Sequence, residues 1–134
     1  MNHMSNDIRK GLVIAWLFIL SLTQVQAQNS IDKMVENFST AGSSSFTSVV
    51  ERDPATRKVN KVVKVLTVEG YQSKKFHTAF MKEKDTGTFT QQRQAGTETL
   101  MLTCDKPQQV RIYMLRRNNA IGKITIIVKR KYKE

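Results

Sequence analysis

The chain has 134 residues with 22 Lys and Arg against 11 Asp and Glu, a net charge of +11, and one cysteine. A single cysteine excludes an intrachain disulfide, so a packed core must hold the fold. The charge predicts attraction to polyanions but does not choose among them.

Residues 1–27 have the pattern of a secretory leader. Arg9 and Lys10 form a basic start, Gly11 to Leu22 is a twelve-residue apolar run, and V-Q-A ends at Ala27 ahead of Gln28. The run is shorter than the roughly 20 residues a membrane span needs. No cysteine follows it, so a lipid anchor is not indicated. The expectation is a signal peptide over 1–27, a single domain over 28–134 without a transmembrane segment, and a periplasmic or secreted product. That product keeps 20 basic and 10 acidic residues, net +10.

Asn29 or Ser30 can cap a helix running to Ser39, in which Ile31, Met34, Val35 and Phe38 recur with helical spacing. Thr40 to Ser45 reads as a loop and Phe46 to Glu51 as a strand, with a turn at Asp53-Pro54-Ala55-Thr56. Arg57 to Val68 carries two signals. Val59, Val62, Val63 and Leu66 have helical spacing, but the density of valine favours a strand paired with Phe46 to Glu51. Gln72 to Lys84 is a second helix with Phe76, Ala79 and Phe80 on one side, stopped by Asp85-Thr86-Gly87. Thr88 to Arg93 and Glu98 to Cys104 are strands about a turn at Gln94 to Gly96, and Asp105 to Pro107 is another turn. Gln108 to Lys131 is the clearest hairpin, two β-branched runs flanking N-N-A-I-G.

Short connections between successive strands predict an α+β fold, an antiparallel sheet of about five or six strands with two helices packed on one face. Alternation sorts the last hairpin. Val110, Ile112, Met114, Ile124, Ile126 and Val128 are expected to face the helices. Arg111, Tyr113, Leu115, Arg117, Lys123, Thr125, Ile127 and Lys129 then face away. On that second face Arg111, Tyr113, Arg117, Lys123 and Lys129, with Lys131 in the basic C-terminal run, form the candidate binding set.

No phosphate-cradling glycine loop, nucleophile elbow or zinc-binding histidine pair is present. Cys104, in step with Leu100 and Leu102, reads as a buried hydrophobe. His77 reads as a packing residue at the edge of an apolar stripe, and no metal or cofactor is expected. The leader, the I-D-K-M-V-E-N-F-S-T helix, the S-S-S-F-T-S-V-V-E-R-D-P-A-T-R-K segment and the late G-K-I-T-I-I-V-K strand resemble small exported proteins of unknown function from gut Bacteroidetes. The resemblance implies export and a compact α+β domain, and brings no catalytic or ligand residues. The expected function is a non-enzymatic binding module for an anionic glycan, a lipid headgroup or an acidic protein, with no intracellular nucleic acid as partner. The alternatives are self-association through the sheet face as a homo-oligomer, and a small hydrolase or inhibitor-like protein.

Overall fold

The computed structural model describes residues 28–42 and 44–131, so the leader expected over 1–27 lies outside the described residues. Helix α1 (Ser30–Ser39) leads into strands β1 (Ser45–Arg52) and β2 (Val59–Glu69). Helix α2 (Ser73–Glu83) and a short 3-10 turn (Lys84–Thr86) precede β3 (Thr88–Gln94), β4 (Thr97–Asp105), β5 (Gln109–Arg117) and β6 (Ile121–Arg130). The strands make one six-stranded sheet in the order β1-β2-β6-β5-β4-β3, antiparallel at every pairing. The expected α+β architecture is the one observed. The valine-rich stretch is strand β2, as its β-branched side chains favour.

Both helices lie on one face, antiparallel to each other. The Ser30 backbone N–H at the start of α1 donates to Glu83 Oε2 at the end of α2, at 3.0 Å. At the other end Phe38 and Phe76 pack with tilted rings, centroids 5.1 Å apart. The helices cover a core of Ile31, Val35, Phe76, Ala79 and Phe80, closed from the sheet side by Leu66, Leu100, Leu102, Tyr113, Leu115, Ile124 and Ile126. Each large side chain so buried contributes about 1.5–3 kcal/mol of transfer free energy. Cys104 is buried with this cluster.

Asn29 is the cap of α1, in a reciprocal arrangement. Its Oδ1 accepts from the N–H groups of Ile31 and Asp32 at 2.9 and 3.0 Å, while Asp32 Oδ2 accepts from the Asn29 N–H at 3.0 Å. Helix α2 has no side-chain cap. Its first residue, Ser73, sits directly over Gly122 of β6, where a Cβ would run into the Ser73 side chain. The absent side chain lets the helix start approach the sheet.

The last hairpin corrects the expected sidedness. Its register pairs Tyr113 with Ile126, Leu115 with Ile124 and Arg117 with Gly122, so partner numbers sum to an odd value. An even-numbered residue of β6 therefore shares its face with an odd-numbered residue of β5. Ile124, Ile126 and Val128 face the helices as expected, but their neighbours there are Arg111, Tyr113, Leu115 and Arg117. Val110, Ile112 and Met114 lie on the opposite face. The connection enforces this. Asn118 Oδ1 accepts from the N–H groups of Ala120 and Ile121 at 2.8 and 2.9 Å, leaving four residues between Arg117 and Gly122.

Candidate functional site

The six candidate residues do not share a surface. Arg111, Tyr113 and Arg117 lie on the helix side, whereas Lys123 and Lys129 lie on the open side. Lys131, just past β6, is ion-paired with Asp105. The three inward residues build two polar anchors between sheet and helices.

In the first anchor the Tyr113 hydroxyl, on a residue only 1% exposed, donates to Asp32 Oδ2 at 2.7 Å. Arg111 Nη1 donates to Asp32 Oδ1 at 3.2 Å. Burial, reinforced by the Asp32 carboxylate, pushes the Tyr113 phenol well above its ordinary value, so it remains a donor. Asp32 thus caps α1 and ties it to β5.

The second anchor centres on Glu98, which is 3% exposed. Its Oε2 accepts from Gln91 Nε2 and Arg93 Nη2, both at 3.0 Å, and its Oε1 from Arg117 Nη1 at 3.1 Å. His77 Nε2 stands 3.5 Å from Oε1. Burial pushes the carboxyl up, but hydrogen bonds from Gln91, Arg93 and Arg117 and the charge of His77 overcome it, holding the group at about 2. Arg117 Nε also donates to Ser73 Oγ at 2.9 Å, and the Ser73 hydroxyl donates to the Gly70 carbonyl at 2.5 Å. With its proton so committed and no exposed surface, Ser73 is a structural link and not a nucleophile.

A Cys-His pair is not assembled. His77 contacts Glu98 at the start of β4, and Cys104 lies six residues along the same strand, about 20 Å away. The Cys104 thiol instead lies 3.8 Å from Thr86 Oγ1. Among the described residues no group of three His, Cys, Asp or Glu side chains is placed to hold a metal ion, and no helix is long and apolar enough to cross a membrane.

The open face has a different character. One row runs Val49, Val63, Ile127, Ile112 across β1, β2, β6 and β5, and the next includes Val65, Met114 and Met101. The second row is interrupted by Thr125 of β6, which stands between Val65 and Met114; none of these side chains is fully buried, and Val49 is 63% exposed. On one flank Lys61 stands directly opposite Lys129, and on the other Arg116 stands directly opposite Lys123. Like charges facing each other across strands cost stability. The two flanks lie six residues apart along β6, about 20 Å. Next to Arg116, at the β3–β4 end of this face, Gln92, Gln94, Ala95, Thr97 and Thr99 line a shallow depression of about 390 Å³.

Lys61 and Arg116 were not in the candidate set. The signal for Arg116 is its phase, two positions from Met114 and opposite to Tyr113, which becomes readable only once the hairpin register is known.

No curated protein and no solved structure matches the chain. A family model described as a domain of unknown function (DUF5024) matches residues 28–128, from the residue before the Asn29 cap almost to the end of β6. Since that span covers the α+β unit described above, the chain belongs to the DUF5024 family.

Proposed function

We propose that the protein is a non-enzymatic binding module, exported by its leader, that docks on an anionic lipid surface through the open face of its sheet. The carrying observation is the aliphatic band framed by two cross-strand cation pairs on the face opposite α1 and α2. Cations near a charged membrane contribute about 1 kcal/mol each, and every 100 Å² of aliphatic surface withdrawn from water adds about 2.5 kcal/mol. Four framing cations alone give marginal, salt-sensitive attachment, so the aliphatic floor must share the binding. Two charge pairs set ~20 Å apart, with neither an aromatic platform nor a deep pocket between them, suit a lateral array of phosphates better than one small ligand.

The test is flotation with vesicles of phosphatidylcholine alone and of phosphatidylcholine containing phosphatidylglycerol. Retention is expected only on the second, falling as salt is raised. Lys61→Glu with Lys129→Glu should reduce it, and Lys74→Glu with Lys82→Glu, exposed on α2, should not. Equal retention on both vesicles, or none on either, overturns the proposal.

A second reading is self-association through the same face, favoured by the 63% exposure of Val49 on edge strand β1. Sedimentation velocity decides it. A monomer at every concentration removes this reading, and a dimer abolished by Val49→Lys supports it.

A further inference from the structure

The two cation pairs of the open face are not equivalent. Lys61 has Lys129 on one side but Glu51 directly opposite on the other. Arg116 and Lys123 are flanked in their row only by Thr99 and Thr67, and neither makes an ion pair or side-chain hydrogen bond with a described residue. Glu69, two residues along β2 from Thr67, is not bonded to them. A like-charged pair with no counter-charge is a local cost that a bound anion would remove. Of the two pairs this is the one at the depression, which Arg116 lines together with Gln92, Gln94, Thr97 and Thr99, with Lys123 directly opposite Arg116 on the neighbouring strand.

We infer that Arg116, Lys123, Thr99 and the Gln92 and Gln94 amides form a subsite for a phosphate monoester. The inference rests on the reading that the open face is the binding face, and names the group that anchors there. The chemistry is matched in charge and in donors. A phosphate monoester carries close to two negative charges at neutral pH, against two cations. Its three terminal oxygens can accept from the Arg116 fork, the Lys123 ammonium, the Thr99 hydroxyl and the amides together. A planar carboxylate is satisfied by the Arg116 fork alone and leaves the remaining donors unused. The ester can come from a lipid headgroup or from a free, soluble phosphate.

The experiment titrates the ¹⁵N-labelled domain with inorganic phosphate against sodium chloride at matched ionic strength, alongside flotation on vesicles containing phosphatidic acid. Phosphate-specific shifts are expected at Thr99, Arg116 and Lys123. The double variant Arg116→Gln, Lys123→Gln should weaken the titration about tenfold or more, while Lys74→Gln with Lys82→Gln, exposed on α2, leaves it intact. Localised shifts together with vesicle retention sensitive to the double variant assign a headgroup as the source. Localised shifts without retention keep the subsite, assign a soluble phosphate and remove the membrane reading. Retention without localised shifts overturns the subsite and leaves the membrane reading standing. Absence of both overturns the two together, and shifts equal to those from sodium chloride overturn the subsite.

Discussion

Replacing Glu98 by glutamine removes one charge from the anchor beneath α2 and keeps its shape. In the folded chain the carboxyl is held at about 2 against an ordinary value of 4.5, because the bonds from Gln91, Arg93 and Arg117 outweigh the cost of burial. A folded-state value below the unfolded one means that the carboxylate stabilises the fold at neutral pH, on the order of 3 kcal/mol for this gap. The contribution is complete above pH 4.5, the ordinary value, and is lost as pH falls toward 2. A marginally stable domain holds only about 5–15 kcal/mol in total, so the effect is measurable. Urea denaturation followed by circular dichroism, on both proteins from pH 7 down to pH 2.5, separates the cases. Glu98→Gln should be less stable by about 3 kcal/mol at pH 7, and the two stabilities should converge as pH falls. Equal stability at pH 7, or a constant separation throughout, would falsify the argument that these donors hold a buried carboxylate.

Three further outcomes follow from the same geometry. Tyr113→Phe strips the donor from Asp32 without changing the packed ring, and should cost about 1–3 kcal/mol by thermal or chemical denaturation. If the loss is under a few tenths, Asp32 is adequately satisfied by Arg111 and the Asn29 backbone. Gly122→Ala drives a methyl group into Ser73, and should lower stability and loosen α2, read as faster amide exchange in that helix than in α1; uniform exchange in both helices would show that the contact is not what seats α2. Ala95 turns the β3–β4 hairpin with a φ of +50°, beside Gly96 at +80°, in the left-handed region that a Cβ disfavours. Ala95→Gly should raise stability by about 0.5–1 kcal/mol, and a lower melting temperature would contradict the assigned strain.

The elements were legible because their signals are local. Apolar spacing marks α1 and α2, valine density marks β2, and Asn118, Asp53 and Gly96 mark turns by their own backbone preferences. The sidedness of β5 was not legible in the same way. It carries Val110, Ile112 and Met114 in one phase and Tyr113 and Leu115 in the other, so both faces are apolar enough to be a core. The choice is made by Asp32, 81 residues from Tyr113 in sequence, and by Glu98, neither of which advertises its partner locally. One clue was present in β4. Glu98 is in step with Leu100, Leu102 and Cys104, which places a carboxylate on a buried face and so requires basic partners facing the helices. That reasoning selects Arg117, and with it Tyr113 and Leu115, as the inward set. It also dissolves the expected basic-aromatic platform, since its aromatic member is enclosed, and leaves an aliphatic floor with cations at its margins.

The strand order β1-β2-β6-β5-β4-β3 has a consequence in time. The β1–β2 hairpin and the β3–β4–β5 meander each assemble from neighbours in sequence, but they meet only through β6, the last strand in chain order. Until that strand arrives, both half-sheets present a raw pairing edge, one on β2 and one on β5. A chain halted after Arg117 therefore holds two half-sheets that no strand pairing joins. Synthesis or export that releases the C-terminal strand late should lengthen the interval in which a holdase chaperone has something to grip.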